Sequence, residues 1–155
     1  MMHVQAAFEL RDADWESDGD ALRHVRRIVF IDEQQIPESL EWDDDDLVSL
    51  HALAVDSEGS PIATGRLLRD GHIGRIAVLR EWRGQGVGAA LFEHLINTAE
   101  ERRHCALYLN AQIHAVGFYT KYGFVAAGPE FFEAGIPHIA MERLNRAPED
   151  TAEAS

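Results

Sequence analysis

Arg83-Gly84-Gln85-Gly86-Val87-Gly88 runs from the end of an apolar strand pattern, Ile73 to Leu79, into a helical pattern, Ala89 to Arg102. Glycines at alternate positions let the backbone turn tightly and bring its N–H groups close to a guest. The helix that follows aims unpaired donors and the positive end of its dipole at the same point. The chemistry this suits is the seating of a phosphate or pyrophosphate. A Walker-type loop is excluded, because it needs Lys-Ser/Thr after its last glycine and Ala89-Ala90 stand there. Gly84, Gly86 and Ala89 satisfy G-x-G-x-x-G/A, so a nicotinamide-dependent oxidoreductase is a competing owner of the loop. Its context differs, since a dinucleotide loop follows the first strand of a doubly wound sheet and an acidic residue ends the next strand. Here the loop lies past mid-chain and the next strand pattern ends in Asn110.

The elements that must hold this loop can be traced along the chain. Val4 to Leu10 has a strand pattern, and Asp18 to Asp20 cap a helix that runs through Leu22, Val25, Arg26, Val29 and Phe30 with its apolar residues on one face, stopped before Pro37. Val48 to Val55 and Ile62 to Leu68 read as strands joined by a turn at Ser57 to Pro61. Asp70-Gly71 is a two-residue hairpin signal leading into His72 to Leu79. Three consecutive antiparallel strands thus deliver the chain to the glycines. The next helix buries Val87, Leu91, Leu95 and Ala99 and ends on Arg102 and Arg103, which suit its negative end. Then come a strand from Ala106 to Asn110, a short helix from His114 to Tyr122 closed by Gly123, and a strand from Phe124 to Ala127. A loop holding Pro129 and Pro137 precedes a last strand, His138 to Leu144. The expectation is a single domain over 1–146 with a disordered polar tail over 147–155.

Composition narrows the function classes. The chain has 155 residues, enough for one packed core. It has no 18-residue apolar stretch, and its start lacks the layout of a signal peptide, so a cytoplasmic protein without a membrane partner is expected. A net charge of −13 argues against a nucleic-acid partner. With Lys121 the only lysine, the acidic surface fits salty surroundings or a GC-rich genome more readily than steering of a cationic substrate. Cys105 excludes an internal disulfide and reads as a small buried hydrophobe. Asp43 to Asp46 reads as a solvated loop, because the regular ligand spacing of a calcium loop is missing, and no metal is expected.

This order of elements resembles the GNAT superfamily of acyl-coenzyme A-dependent N-acyltransferases. Arg83-Gly84-Gln85-Gly86-Val87-Gly88 fits that family's R/Q-x-x-G-x-G/A loop. Leu109-Asn110-Ala111-Gln112, followed by Gly117-Phe118-Tyr119 and Gly123-Phe124, looks like its second block. More narrowly, Phe30 to Pro37, Gly74-Arg75-Ile76-Ala77-Val78, Leu109 to Gln112, and Ala134-Gly135-Ile136-Pro137-His138 with Met141 are similar to the small ElaA-like branch. The resemblance implies an α/β (α+β) fold, a mixed, mostly antiparallel sheet of six to seven strands flanked by about four helices. It implies acetyl-CoA as co-substrate, with a small-molecule or peptide amine as acceptor. Two readings stand beside it: a coenzyme-binding regulator without turnover, and the oxidoreductase above. Edge strands leave a homodimer open.

The same resemblance seats the coenzyme pyrophosphate on the amides of Gln85 to Ala89, through Gly86, Val87 and Gly88, with Gly84 in the turn and Arg83 at the rim. The pantetheine arm would run beside Ile76, Ala77 and Val78. Tyr119 is the candidate general acid: a phenol with a pKa of about 10, against about 8.5 for a thiol, stays protonated and hydrogen-bonds the sulfur as charge builds there. Asn110 serves either the pantetheine or a helix terminus. On the acceptor side, a protonated amine cannot attack until its proton is taken. Glu33, Gln34, His51, Arg75, Gln112, His114 and His138 are the polar residues to search. Glu33 is first choice as base or ammonium anchor and His138 second. Arg66 and Arg75 either bind a substrate carboxylate or pair with Asp43 to Asp46.

Overall fold

The structure is a computed structural model that describes residues 7–145. Seven strands form two antiparallel sheets. β1 (Phe8–Ala13), β2 (Leu50–Asp56), β3 (Pro61–Leu67) and β4 (Ile73–Val78) make a four-stranded meander in chain order. β5 (Ala106–Gln112), β7 (Ile136–Leu144) and β6 (Val125–Glu133) make a three-stranded sheet in that order. The helices are α1 (Gly19–Arg26), α2 (Glu38–Glu41), α3 (Val87–Glu101) and α4 (Val116–Thr120). The glycine loop therefore follows the fourth strand of an antiparallel sheet. That removes the parallel, doubly wound framework on which the oxidoreductase reading depends.

The strand alternation of β3 and β4 assigns the two sheet faces. α3 lies on one face, where Val87, Leu91, Phe92, Leu95, Ile96 and Ala99 are buried against Ala52, Ala54, Ile62, Leu107, Leu109 and Phe124. The expected helix stripe is part of this core. On the other face Val25, Val29 and Phe30 pack on Ala77. Burial of such aliphatic and aromatic side chains is worth roughly 1.5–3 kcal/mol each, so the two clusters fix the sheet between its helices.

Several expectations are corrected. The first strand is Phe8–Ala13, and the expected start at Val4 lies outside the described residues, as does the tail from 147 onward. Asp18 occupies the N-cap position of α1, but its carboxylate accepts from Arg11 and the Asp14 amide, at 2.9 Å each, and not from the helix. After Arg26 the helix widens into π-type turns over Arg27–Glu33, with Gln34 N–H donating to the Val29 carbonyl. The wider turn brings Glu33 and Gln34 round toward β4 while Val29 and Phe30 stay on the core. The last two strands extend through the expected proline loop as a hairpin over Ala134-Gly135, both at positive φ (52° and 78°), as a type I′ turn requires. Pro129 is accommodated where the β6 register shifts between Ala126 and Glu130. Pro137 lies beyond the last β5 pair, Gln112 with His138. Cys105 is exposed, because the turn that follows α3 places it on the solvent side.

The two sheets meet only at a corner. His72 and Tyr108 form a single parallel bridge, and Tyr108 N–H donates to the Gly71 carbonyl at 3.0 Å. Gly71 has φ +99°, and a Cβ there would sit 2.5 Å from the Ala106 carbonyl oxygen, so a side chain is excluded from this junction. Beyond the corner β4 and β5 diverge, and the wedge between them is open.

Candidate active site

The wedge is a cavity of about 700 Å³, within the range of small-molecule sites. Its long wall is β4 from Ile73 to Val78. The opposite wall is Leu109, Asn110 and Gln112 of β5 with Phe118 and Tyr119 of α4. Val29, Phe30, Glu33, Gln34 and Ile36 form the roof, and Glu133 and His138 of the last hairpin close one end. Arg83 marks the other end, where β4 leads into the glycine loop.

At that end Gly84 and Gly86 have φ +77° and +83°, and nothing lies within 4 Å of where their Cβ atoms would stand. Positive φ and open space together explain why glycine occupies both positions. Gly86 is the N-cap of α3, buried Val87 anchors the helix to the core, and the Ala90 amide begins the helical ladder by donating to the Gly86 carbonyl at 3.0 Å. The amides of Gly86, Val87 and Gly88 belong to the turn before that bond, where a helix has no acceptor of its own to offer. The Gln85 side chain braces the loop by donating to the Glu81 carbonyl at 2.9 Å. These features fit a pyrophosphate, and the cleft beside Ile76, Ala77 and Val78 fits a pantetheine arm.

Tyr119 packs its ring edge-on to Phe92, at 5.1 Å between centroids, beside Phe118 and Phe124. Burial raises its pKa above the ordinary tyrosine value, so the phenol keeps its proton at neutral pH. Glu33 lines the cavity with its oxygens already engaged: Oε1 accepts from Arg83 at 2.9 Å and Oε2 lies 3.5 Å from an Arg80 nitrogen. Arg83 is further pinned by Nε donating to the Val78 carbonyl at 2.9 Å. Gln112 donates to the Gln34 side chain at 3.0 Å, tying β5 to the roof. Asn110 reaches toward Glu133 at 3.5 Å. His138 is 6% exposed, stacks on Phe131, and sets Nδ1 2.7 Å from the Ile136 carbonyl oxygen. A carbonyl can only accept, so Nδ1 carries hydrogen, and Nε2 lies 3.8 Å from the Glu133 carboxylate.

Two expected residues stand elsewhere or are otherwise engaged. His51 is not among the cavity-lining residues. It is buried under Trp15, with ring centroids 5.2 Å apart, and its Nε2 lies 2.8 Å from the Asp46 carbonyl oxygen. Burial lowers its pKa. Arg75 does line the cavity, but its guanidinium belongs to a closed ring of six charges. Arg26 pairs with Glu41 and Asp46 at 2.7 Å each, and Arg66 with Asp43 at 2.7 Å and Asp46 at 2.8 Å. Arg75 pairs with Glu41 and Asp43 at 3.3 Å each. Three cations and three carboxylates alternate, each touching two of the opposite sign. Asp43 to Asp46 is therefore solvated only in part: Asp44 and Asp45 are exposed, whereas Asp43 is paired and Asp46 is 1% exposed. Among the described residues no group of three or more His, Cys, Asp or Glu is arranged to hold a metal ion.

Sequence reasoning missed Glu133, Phe118 and Glu41 as cavity residues. It also missed a bulge in β4. Thr64 pairs with Ala77 but Arg66 with Gly74, so three steps on β4 match two on β3, and Arg75 takes φ +52°. The register gives Arg75 and Ile76 no partner on β3, and both residues line the cavity.

The chain is similar in sequence and fold to known proteins. The family described as "Acetyltransferase (GNAT) domain" matches residues 29–144. The chain is 38% identical over 122 residues to the uncharacterized N-acetyltransferase YjcF of Bacillus subtilis, covering 76% of this chain and 86% of the relative. It is 33% identical to ElaA of Escherichia coli over 79% of this chain and 85% of that protein; the crystal structure of E. coli ElaA superposes with a TM-score of 0.80, covering 88% and 99% of the two chains. The crystal structure of an acyl-CoA N-acyltransferase from Pseudomonas aeruginosa, 34% identical, also superposes at 0.80 over 88% and 99%.

Proposed function

The chain belongs to the GNAT acetyltransferase family, and from that membership we propose that it moves an acetyl group from acetyl-CoA to a primary amine of a small molecule or peptide, by direct attack in a ternary complex. The observation that carries this reading is the wedge between β4 and β5, which runs from Arg83 and the glycine loop past Tyr119 to the polar end formed by Glu133 and His138.

When bound, acetyl-CoA supplies a thioester carbonyl and a thiolate leaving group. The amides of Gly86, Val87 and Gly88 hold the pyrophosphate, aided by Arg83, while Ile76, Ala77 and Val78 align the pantetheine arm. A freed amide of the β4 bulge donates to the thioester oxygen, stabilising the negative charge that grows there. His138 Nε2 takes the proton of the attacking ammonium; its support is the Nδ1–H bond to the Ile136 carbonyl, which fixes the tautomer. Glu133 offers the incoming cation a carboxylate beside that nitrogen. As the new C–N bond forms and the C–S bond breaks, Tyr119 passes its proton to sulfur and is reprotonated, through water, by the second proton that the new amide nitrogen sheds. Glu33, paired to Arg83 and Arg80, holds the roof to the loop, and His138 replaces it as first choice for the base.

The test is Tyr119→Phe with acetyl-CoA and an amine panel followed by thiol release. Turnover is expected to fall about 10²- to 10⁴-fold, the range of general acid catalysis, with the acetyl-CoA Kd within twofold. Unchanged kcat removes Tyr119 from the mechanism. Coenzyme binding with no thiol release for any amine supports a regulator instead.

A further inference from the structure

Arg75 stands where an arginine is out of place. Its φ of +52° lies in the left-handed region that L side chains avoid, within a strand. Something must hold it there, and the neighbouring contacts identify what does. Its Nη2 lies 3.1 Å from the Glu41 carbonyl oxygen, 3.4 Å from that of Leu40 and 3.3 Å from the Asp43 carboxylate, and its Nε is 3.3 Å from Glu41 Oε2. All these partners belong to residues 40–43, outside the sheet. They are themselves immobilised, because Glu41 is locked to Arg26 and Asp43 to Arg66. Arg26, Arg66, Glu41 and Asp46 are each at most 5% exposed, so the frame that grips Arg75 is part of the protein interior.

The backbone consequence falls on the cavity side. Arg75 is the residue at which β4 carries one step more than β3, and its neighbours Gly74 and Ile76 line the same wall. The guanidinium held on residues 40–43 thus belongs to the residue at which β4 departs from the β3 register, and neither Arg75 nor Ile76 has a partner on β3.

We propose that Arg75 is a positioning residue: the closed ring of ion pairs, acting through its guanidinium, holds the β4 bulge in shape, and the bulge aims a backbone amide at the thioester carbonyl of bound acetyl-CoA. The inference rests on the acetyl-CoA reading above and adds to it the ring, whose part is to position the bulge and not to act on the reacting atoms. It also explains why a buried six-charge cluster lies beside a cavity whose chemistry needs no ion pair there.

The experiment reads the carbonyl directly, in the full-length chain and without an acceptor. The ¹³C resonance of [1-¹³C]acetyl-CoA is recorded free and bound to wild type, Arg75→Ala, Arg75→Gly and Arg75→Lys. A hydrogen bond from the amide polarises the carbonyl and displaces the resonance on binding to wild type. Arg75→Ala is expected to lose at least half of that displacement with the acetyl-CoA Kd within threefold, because the pyrophosphate seat is untouched. Arg75→Gly is expected to keep more than Arg75→Ala, since glycine adopts positive φ without a Cβ. Full wild-type displacement in Arg75→Ala overturns the inference. So does Arg75→Gly falling to or below Arg75→Ala, which would mean that the guanidinium itself meets the ligand. If Arg75→Ala does not fold, Arg75→Lys stands in, with a reduced displacement expected and an unreduced one overturning. A wild type that binds acetyl-CoA with an unmoved resonance removes this inference alone. A wild type that does not bind it removes the acetyl-CoA reading as well.

Discussion

Asp46→Asn tests whether the six-charge ring is a structural keystone. The Asp46 carboxylate accepts from Arg26 at 2.7 and 3.3 Å and from Arg66 at 2.8 Å, and its side chain is 2% exposed. Asparagine keeps the shape and one acceptor oxygen but leaves three guanidiniums facing two carboxylates where there were three. Breaking a buried pair from one side costs about 3–5 kcal/mol, and the retained oxygen argues for the lower end. At roughly 2–4 °C per kcal/mol for a chain of this size, Tm should fall on the order of 6–12 °C at pH 7. Salt should hardly change that gap, because buried pairs are poorly screened. The pH dependence has a definite sign. Burial pushes the Asp46 carboxyl up, but hydrogen bonds and charge from Arg26 and Arg66 outweigh it, so the folded pKa lies below the ordinary carboxylate value. Its contribution is therefore fully present above the unfolded pKa of about 3.9 and is lost as pH falls through the folded value. Differential scanning calorimetry from pH 8 to pH 3 should show a constant gap between wild type and Asp46→Asn down to about pH 5, then a narrowing one. A drop of less than 2 °C at pH 7, or a gap that fails to close in acid, would refute the keystone role.

Two further outcomes are expected. Gly71→Ala puts a Cβ against the Ala106 carbonyl at 2.5 Å and at φ +99°, so it should destabilise by roughly 2–4 kcal/mol and weaken acetyl-CoA binding by shifting the corner from which β4 and β5 diverge; a wild-type urea midpoint would contradict this. Glu33→Gln should tighten coenzyme A binding about two- to fivefold in calorimetric titrations at low salt, because Arg83 and Arg80 lose a competing partner worth roughly 0.2–1 kcal/mol, and weaker binding would show that Glu33 orders the loop for its ligand.

The parts of this protein that sequence alone determined are those set by contacts between near neighbours. The stripe Val87, Leu91, Leu95 and Ala99 is dictated by helical periodicity, and all four residues are buried. Gly84 and Gly86 announce their positive φ because no other residue adopts it freely, and the ordered motifs around them name the family before any coordinate is consulted. What only the tertiary structure decided depends on residues far apart in the chain. Glu33 meets Arg83 across 50 positions, Arg26 meets Asp46 across 20, and Arg66 meets Asp43 across 23. An aspartate run reads as solvated until three arginines from three other elements are known to close on two of its members. His51 and His138 carry the same side chain near one end of a strand, yet one lies under Trp15 and the other at the wedge, because the partner strands assign their faces. The β4 bulge leaves no mark on local periodicity, since it comes from a mismatch between two strands and from a side-chain anchor some 32 residues away. Long-range pairing selects among the many partners that composition permits, and that selection is the physical content the fold adds.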